Sequence, residues 1–149
     1  DHMEHVLDSE LFDLAAAGTV TVLLPGASLF LLNDDYPDGR RFINAGVPVA
    51  VATDFNPGSC PCFSMQTALA LSVLKAGLTA EEAVCGATIN AAYACGLGSR
   101  VGSLKPGKDA DFIILEAESL WDIPYHFGTN LVRETFRRGK RIASGSGQD

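Results

Sequence analysis

The sequence predicts an α/β fold, and two observations carry that prediction. Over residues 1–100, helical and strand-like segments alternate through short links, which is the pattern of parallel β/α units. Beyond Gly98 the helical pattern stops, and three strand-like segments follow among turn residues. We therefore expect two units, with β/α units in residues 1–100 and a small separate sheet in residues 101–149.

The first unit begins with a short helix, for which Ser9 is the expected N-cap and Gly18 the stop. A β-rich run follows and ends at a Pro-Gly pair, as strands often do before a turn. A loop with a short apolar element then leads to a second helix and a second strand. The expected segments are a helix over residues 9–17, a strand over 19–24, a short element from Leu29, a helix over 38–46 and a strand over 48–52.

The strand over residues 48–52 leads into the candidate site. It is short, uninterrupted and rich in Val, as expected of a parallel strand covered on both faces. Asp54 follows at its C-terminal end, which in α/β barrels is the catalytic face. Asn56-Pro57-Gly58-Ser59 predicts a turn, in which proline fixes φ and glycine allows close approach of the backbone. A carboxylate beside such a turn can bind a metal ion and a polar substrate together.

Each candidate also has a plain alternative. Asp54 can be a loop residue that only caps the next helix, and the spacing alone leaves both interpretations open. His2 can be a residue near a chain end without a role, and His5 suits an exposed approach to the first helix. We interpret His126, which lies between Tyr125 and Phe127, as a packed and hydrogen-bonded residue rather than a ligand.

Two further helices are expected between the candidate site and Gly98. The helix over residues 63–76 is interpreted as mostly buried, with Phe63 and Met65 in the core. Thr79 and Glu82 have the spacing of a capping box, so the next helix begins there and continues through small residues.

The second unit is expected to form a sheet from three strands, the last two joined across Arg138-Gly139. Asp111 precedes the first of these strands and is expected to order the turn beneath the sheet. The basic cluster from Arg137 to Arg141 is interpreted as the solvated end of the hairpin. The expected strands cover residues 112–115, 131–136 and 140–143.

Composition excludes several classes of function. A formal net charge of −7 argues against a nucleic-acid-binding surface, which needs a basic patch. No apolar run reaches the length of about 18 residues that a membrane span needs. The N-terminal residues carry no basic segment followed by an apolar one. We therefore expect a soluble, cytoplasmic protein.

The four cysteines do not form the two pairs of a structural zinc site. Cys60 and Cys62 lie beside the candidate site, where ligation is conceivable, but a reduced pair is the expected state. Cys85 and Cys95 lie in a helical stretch of small residues and are interpreted as packing residues. Reduced thiols agree with a cytoplasmic protein.

Several motifs resemble the imidazolonepropionase family, histidine-degradation enzymes of the amidohydrolase superfamily. The main one is the run Ala52–Ser59, in which Asp-Phe-Asn-Pro-Gly is specific to that family. Four more motifs extend the resemblance over nearly the whole chain. They are Asp1-His2-Met3, Leu23-Leu24-Pro25-Gly26, residues 88–92 and residues 102–111, the last being widespread among amidohydrolases.

The resemblance implies the C-terminal part of a (β/α)8 TIM-type barrel, followed by strands of a small composite β-sandwich. A whole barrel needs about 250 residues, and this chain has 149. The implied partner is therefore the N-terminal part of the same enzyme, which would supply the remaining barrel strands and metal ligands. Without it the sandwich strands would have exposed edges. A homodimer is a further implied partner, because such enzymes are often dimeric.

The resemblance also implies an activity, the hydrolysis of the cyclic amide of 4-imidazolone-5-propanoate to N-formimidoyl-L-glutamate with Zn²⁺ or Fe³⁺. Asp54 matches the last-strand aspartate, a metal ligand that also takes the proton of the attacking water. His2 matches an active-site histidine that stabilises the oxyanion or relays a proton. Asn56, Gly58 and Ser59 match positions that contact substrate.

Departures from the family pattern limit what this chain can do alone. It has no His-x-His pair and no arginine placed as an obvious carboxylate clamp, and Cys60-Pro61-Cys62 stands where many relatives have Ser-Pro. We therefore expect the isolated chain to bind metal poorly and to be inactive. Two alternatives stay open: another cyclic-amide hydrolase or deaminase of the superfamily, and a non-catalytic β/α scaffold in which Asp54 is only a cap.

Overall fold

The computed structural model describes residues 1–145. At its centre two parallel strands lie side by side, β1 (Thr21–Leu23) and β2 (Val49–Val51). In their register Thr21 is opposite Val49 and Leu23 is opposite Val51. Every residue of β2 is buried, which agrees with the prediction of a strand covered on both faces.

Helices surround this pair of strands, and a second sheet follows. The helices are α1 (Asp8–Ala16), α2 (Pro25–Phe30), α3 (Gly39–Asn44), α4 (Met65–Lys75), α5 (Ala80–Cys85), a π-helical turn (Gly86–Asn90), α6 (Ala91–Ala94) and α7 (Asp122–Tyr125). The second sheet has the strands β3 (Phe112–Leu115), β4 (Val132–Arg137) and β5 (Lys140–Ser144).

The hydrophobic core lies between the parallel strands and the helices that pack on them. Leu23 and Phe42 are fully buried there. Burial of one such side chain stabilises the fold by roughly 1.5–3 kcal/mol. The other buried members of this core are Leu11, Val47, Val49, Val51, Ala68, Leu69, Ala76, Leu78, Ala83 and Ile123.

The starts of α1 and α2 differ from prediction. Ser9 is not the N-cap of α1, because the helix begins one residue earlier with Leu7 in the cap position. The Leu7 amide donates to the Glu10 carboxylate at 2.8 Å, so a residue of the first turn supplies the acceptor. Pro25 opens α2 rather than ending β1 in a turn, since proline at the first helical position leaves no helical hydrogen bond unmade.

Helix α4 begins at Ser64, whose hydroxyl accepts from the Thr67 amide at 3.2 Å. Phe63 and Met65 are exposed, so their placement in the core was wrong. Phe63 precedes the helix and packs edge-on against Phe55, with the ring centroids 5.9 Å apart.

Cys85 and Cys95 are likewise exposed, and their interpretation as packing residues was wrong. The buried positions of this helical stretch belong to smaller residues: Ala80, Ala83, Gly86 and Ala92.

The second sheet is antiparallel in the order β3, β4, β5, and it contains the predicted hairpin of the last two strands. Arg138 and Gly139 both have positive φ, 49° and 74°, as in a two-residue hairpin turn. Asp111 accepts from the Arg138 amide at 2.7 Å, which confirms that it orders the turn. Residues 146–149, part of the predicted second unit, lie outside the described residues.

The two sheets are connected through α4. The Gln66 amide donates to the Asn130 side chain at 2.8 Å and accepts from the Leu131 amide at 2.9 Å. Leu115 and Leu131 also pack against the main core. Among residues 1–145 no helix is both long and apolar enough to cross a membrane.

Candidate active site

Asp54 lies just beyond β2, at the C-terminal end of the parallel pair, as predicted. Its φ is 54°, in the left-handed region that few residues other than glycine adopt. Such backbone conformations cluster at functional sites. Within residues 1–145 the Asp54 carboxylate has no hydrogen-bond or ion-pair partner. The cap of the following helix is Ser64, so the alternative that Asp54 is that cap was wrong.

The loop after Asp54 is held together by one side chain, that of Asn56. Its Oδ1 accepts from the Gly58 amide at 2.9 Å and from the Ser59 amide at 2.7 Å. Its Nδ2 donates to the Asp54 carbonyl at 2.7 Å and to Ser59 Oγ at 2.9 Å. The Asn56 amide also donates to the Cys60 carbonyl at 2.9 Å, which closes the loop.

These bonds decide what each loop residue can offer to a ligand. Both donors and both acceptor directions of the Asn56 amide are used inside the loop. Asn56 therefore builds the loop, and its side chain has no hydrogen-bonding capacity left over. Gly58 is exposed and Ser59 is half-buried, so these two predicted contacts remain accessible in the described chain.

Helix α2 packs directly against this loop. A Cβ added to Gly26 would lie 3.0 Å from Cys60 Sγ and 3.6 Å from the Thr53 carbonyl, so a larger residue would require Cys60 to shift by a few tenths of an ångström. A cavity of about 180 Å³ lies alongside, with Cys60 and Cys62 in its lining. Both thiols are free, as the sequence predicts. The segments that follow β1 and β2 thus lie against each other.

His2 belongs to the same region through α2. Its Nδ1 lies 3.9 Å from Glu4 Oε1, and that oxygen accepts from Ser28 Oγ of α2 at 3.2 Å. The Glu4 side chain is only 10% exposed, whereas that of His2 is 53% exposed. Glu4 thus lies near His2 and is hydrogen-bonded to α2. The sequence contained no signal for Glu4, because Ser28, its hydrogen-bond partner, is distant in the chain.

His126 is not part of this arrangement. It is exposed and lies edge-on against Tyr125, with the ring centroids 4.8 Å apart. The expected packing against an aromatic neighbour is present, but within residues 1–145 the His126 side chain makes none of the expected hydrogen bonds. Backbone amides of Ser119 and Glu118 donate to Asp122 and hold the pKa of that carboxyl below its usual value.

The described residues do not form a complete metal site. Within residues 1–145 no group of three or more His, Cys, Asp or Glu side chains is arranged to hold an ion. Asp54 has the chemistry and the position of one carboxylate ligand. No hydrogen bond or ion pair joins it to His2 in this part of the chain. The residues present therefore fit one ligand of a shared site and no more.

Comparison with known proteins identifies the family. The family model described as "Amidohydrolase family" matches residues 2–142, nearly the whole chain. The chain belongs to the amidohydrolase family. Its resemblance to the imidazolonepropionases within that family is also confirmed by individual relatives.

Two amidohydrolases illustrate this resemblance. The chain is 46% identical over 142 residues to the imidazolonepropionase of Symbiobacterium thermophilum, covering 95% of this chain and 33% of that protein. It is 44% identical over 147 residues to the imidazolonepropionase of Bacillus velezensis, covering 99% of this chain and 35% of that protein. The chain thus spans about a third of the length of the curated relatives it matches.

Solved amidohydrolase structures confirm the fold. An adenosine deaminase from Xanthomonas campestris with bound zinc superposes with a TM-score of 0.84 at 24% identity, covering 94% of this chain and 35% of that one. A guanine deaminase from E. coli gives 0.78 at 22% identity, covering 97% and 38%. The α/β fold is that of TIM-barrel enzymes of this family. At these identities the likeness shows the fold alone.

Proposed function

We propose that this chain is the C-terminal part of an imidazolonepropionase, which hydrolyses the cyclic amide of 4-imidazolone-5-propanoate to N-formimidoyl-L-glutamate in histidine degradation. The observation that carries the proposal is the identity of 40–46% to imidazolonepropionases over 95–99% of this chain. The geometry supports it, because an unpartnered carboxylate and a pre-formed polar loop lie together at the end of a parallel strand.

In this proposal Asp54 is the metal ligand that this chain contributes. Asp54 would be one of the residues that hold a Zn²⁺ or Fe³⁺ ion, and such an ion would lower the pKa of a water so that hydroxide is available at neutral pH. Asp54 takes the proton of the attacking water and delivers it to the departing ring nitrogen. His2, which lies near Glu4, would stabilise the charge that develops on the carbonyl oxygen of the substrate or relay a proton.

The substrate loop has two kinds of residue in this proposal. Gly58 and Ser59 contact the substrate, Gly58 through its exposed backbone and Ser59 through its hydroxyl. Asn56 contributes to substrate binding through the loop conformation it maintains. A loop that is already formed before binding loses little conformational entropy when substrate arrives.

The rest of the site belongs to the N-terminal part of the same enzyme, which we propose as the partner of this chain. Residues 1–100 would form the last β/α units of the barrel. Residues 101–149 would supply strands of a small β-sandwich completed by the N-terminal part, since the edges of β3 and β5 carry no further strand within residues 1–145. A homodimer and a cytoplasmic location are part of this proposal.

The test uses the complete enzyme and compares wild type with Asp54→Ala. We expect the variant to lose bound metal and to lose ring-opening activity by at least about 1,000-fold, because a ligand and the proton acceptor are removed together. Asp13→Ala, at an exposed position on α1, is the matched control and should retain both.

Other outcomes point to the alternatives. Full activity of Asp54→Ala would overturn the mechanism. A wild-type enzyme that deaminates a purine or pyrimidine base but leaves the imidazolone intact would replace the reaction with deamination. A folded wild-type protein without metal or activity would favour the non-catalytic scaffold.

A further inference from the structure

The π-helical turn Gly86–Asn90 interrupts an otherwise continuous helical stretch at the point where it crosses β2. Gly86 is buried against that strand. A Cβ at this position would lie 3.0 Å from Val51 Cγ2 and 3.3 Å from the Val49 carbonyl oxygen. An alanine at this position would require the Val51 side chain or the Val49 backbone to shift by a few tenths of an ångström. π-helical turns of this kind occur often at functional sites.

The last residue of the turn holds the strand by a hydrogen bond. Asn90 Nδ2 donates to the Val49 carbonyl oxygen at 2.8 Å. The Pro48 carbonyl and the Ala52 amide bond to β1, at 2.9 and 3.1 Å. Since alternate residues of a strand bond to opposite sides, the Val49 carbonyl points away from β1. Asn90 therefore fixes the edge of β2 that β1 leaves open.

Together, these two contacts hold β2 against the helix at Val49 and at Val51, the residues on either side of Ala50. Gly86 sets how closely the helix lies against Val51, and Asn90 sets how far the strand can slide at Val49. The strand is three residues long and passes within three residues into Asp54. Because Asp54 follows the strand so closely, a displacement of β2 would also move the Asp54 carboxylate.

We propose that Gly86 and Asn90 are positioning residues for Asp54, acting through the backbone of β2. The inference rests on the proposed function and deepens it, because it assigns a role to Asn90 of the motif over residues 88–92. A displacement of about 1 Å at a reacting group can reduce the rate by about 100-fold. A contact far from the substrate then determines the rate of the chemical step.

The test measures kcat, KM and zinc retention against a chelator in the complete enzyme. In Asn90→Ala we expect kcat per folded molecule to fall about 10- to 100-fold. We expect KM to stay within about threefold, because the substrate loop is held by its own hydrogen bonds. Zinc should be lost to the chelator about 10-fold faster, since Asp54 is displaced from its ligating position.

Two further variants make the result specific. Gly86→Ala keeps the Asn90 side chain but tightens the contact with Val51 and the Val49 carbonyl, and it should also lower kcat even if Asn90→Ala fails to fold. Thr88→Ala is the matched control: Thr88 is exposed, and its hydroxyl donates to the Val84 carbonyl of the same helix at 2.6 Å rather than to β2. That variant should retain wild-type kcat and zinc retention.

The outcomes separate this inference from the function on which it rests. Wild-type kcat and zinc retention in folded Asn90→Ala and Gly86→Ala would overturn the positioning role while leaving the proposed function intact. An equal fall in Thr88→Ala would also overturn it, since the effect would then be general to the helix. A wild-type enzyme that opens no imidazolone ring and holds no zinc would overturn both.

Discussion

At the scale of single residues, two side chains of the candidate site act through hydrogen bonds to neighbouring segments. Asn56 holds the loop after Asp54, and Glu4 accepts a hydrogen bond from Ser28 beside His2. The sequence predicted Asp54 at the end of a strand because the apolar run and the carboxylate are adjacent in the chain. It could not predict Glu4, whose contact with Ser28 bridges residues far apart in sequence.

Substitution of Asn56 tests its role in the loop. We expect Asn56→Ala to destabilise the complete enzyme by about 2 kcal/mol, because four hydrogen bonds, three of them partly buried, lose their partner. Asn56→Asp keeps the two bonds to the Gly58 and Ser59 amides and should cost about half as much. The measurement is the free energy of unfolding in urea, together with KM for the imidazolone.

Asn33→Ala is the control for that experiment, since Asn33 accepts a single exposed hydrogen bond from the Asp35 amide. It should change the free energy of unfolding by less than about 0.5 kcal/mol. An equally small effect of Asn56→Ala would contradict the assignment of Asn56 as the residue that builds the loop.

At the scale of helices and strands, the sequence predicted the features that depend on residues close together in the chain. The capping box was confirmed: the Glu82 amide donates to Thr79 Oγ at 3.2 Å, and the Thr79 amide donates to the Glu82 carboxylate at 2.8 Å. The π-helical turn could not be predicted, because it depends on the fit of Gly86 against a strand far away in sequence. Helix α2 was missed since Pro-Gly is also a common turn pair.

The capping box also predicts a dependence of stability on pH. The hydrogen bond from Arg40, at 2.8 Å, together with the Thr79 amide, holds the pKa of Glu82 below its usual value of 4.5. A carboxyl with a lowered pKa stabilises the fold above its unfolded pKa and loses that effect as pH falls through the lower folded value. Glu82 therefore contributes stability at pH 7 that disappears progressively below about pH 4.5.

Two variants test this dependence in thermal unfolding scans between about pH 3 and pH 7. Glu82→Gln should be less stable than wild type at pH 7, and the difference should shrink as the pH falls below 4.5. Thr79→Ala should cost about 1 kcal/mol at pH 7 through loss of the cap. A difference between Glu82→Gln and wild type that does not change with pH would contradict the assignment.

At the scale of the whole molecule, the described chain leaves several large apolar side chains exposed. Leu32 is 89% exposed, Phe12 78% and Phe63 79%. The chain spans about a third of the length of its curated relatives. Under the proposed function, these side chains are covered by the N-terminal part of the enzyme.

Expression of the 149-residue chain alone tests this interpretation. We expect it to self-associate at micromolar concentration and to bind a hydrophobic dye, because its exposed apolar side chains are then uncovered. Co-expression with the N-terminal part of the enzyme should remove both effects. Sedimentation velocity is the measurement, and a monodisperse monomer at about 100 μM that binds no dye would contradict the interpretation.

The left-handed backbone conformation of Asp54 restricts which amino acids can occupy that position without strain. Glycine, asparagine and aspartate adopt this conformation at little cost, whereas β-branched residues adopt it only with strain. Among these three, only aspartate carries a charge. In a library of variants at this position, most substitutions would therefore strain the backbone, and glycine or asparagine would remove the charge. Asp54→Asn separates the two effects, because it removes the charge and keeps the backbone conformation.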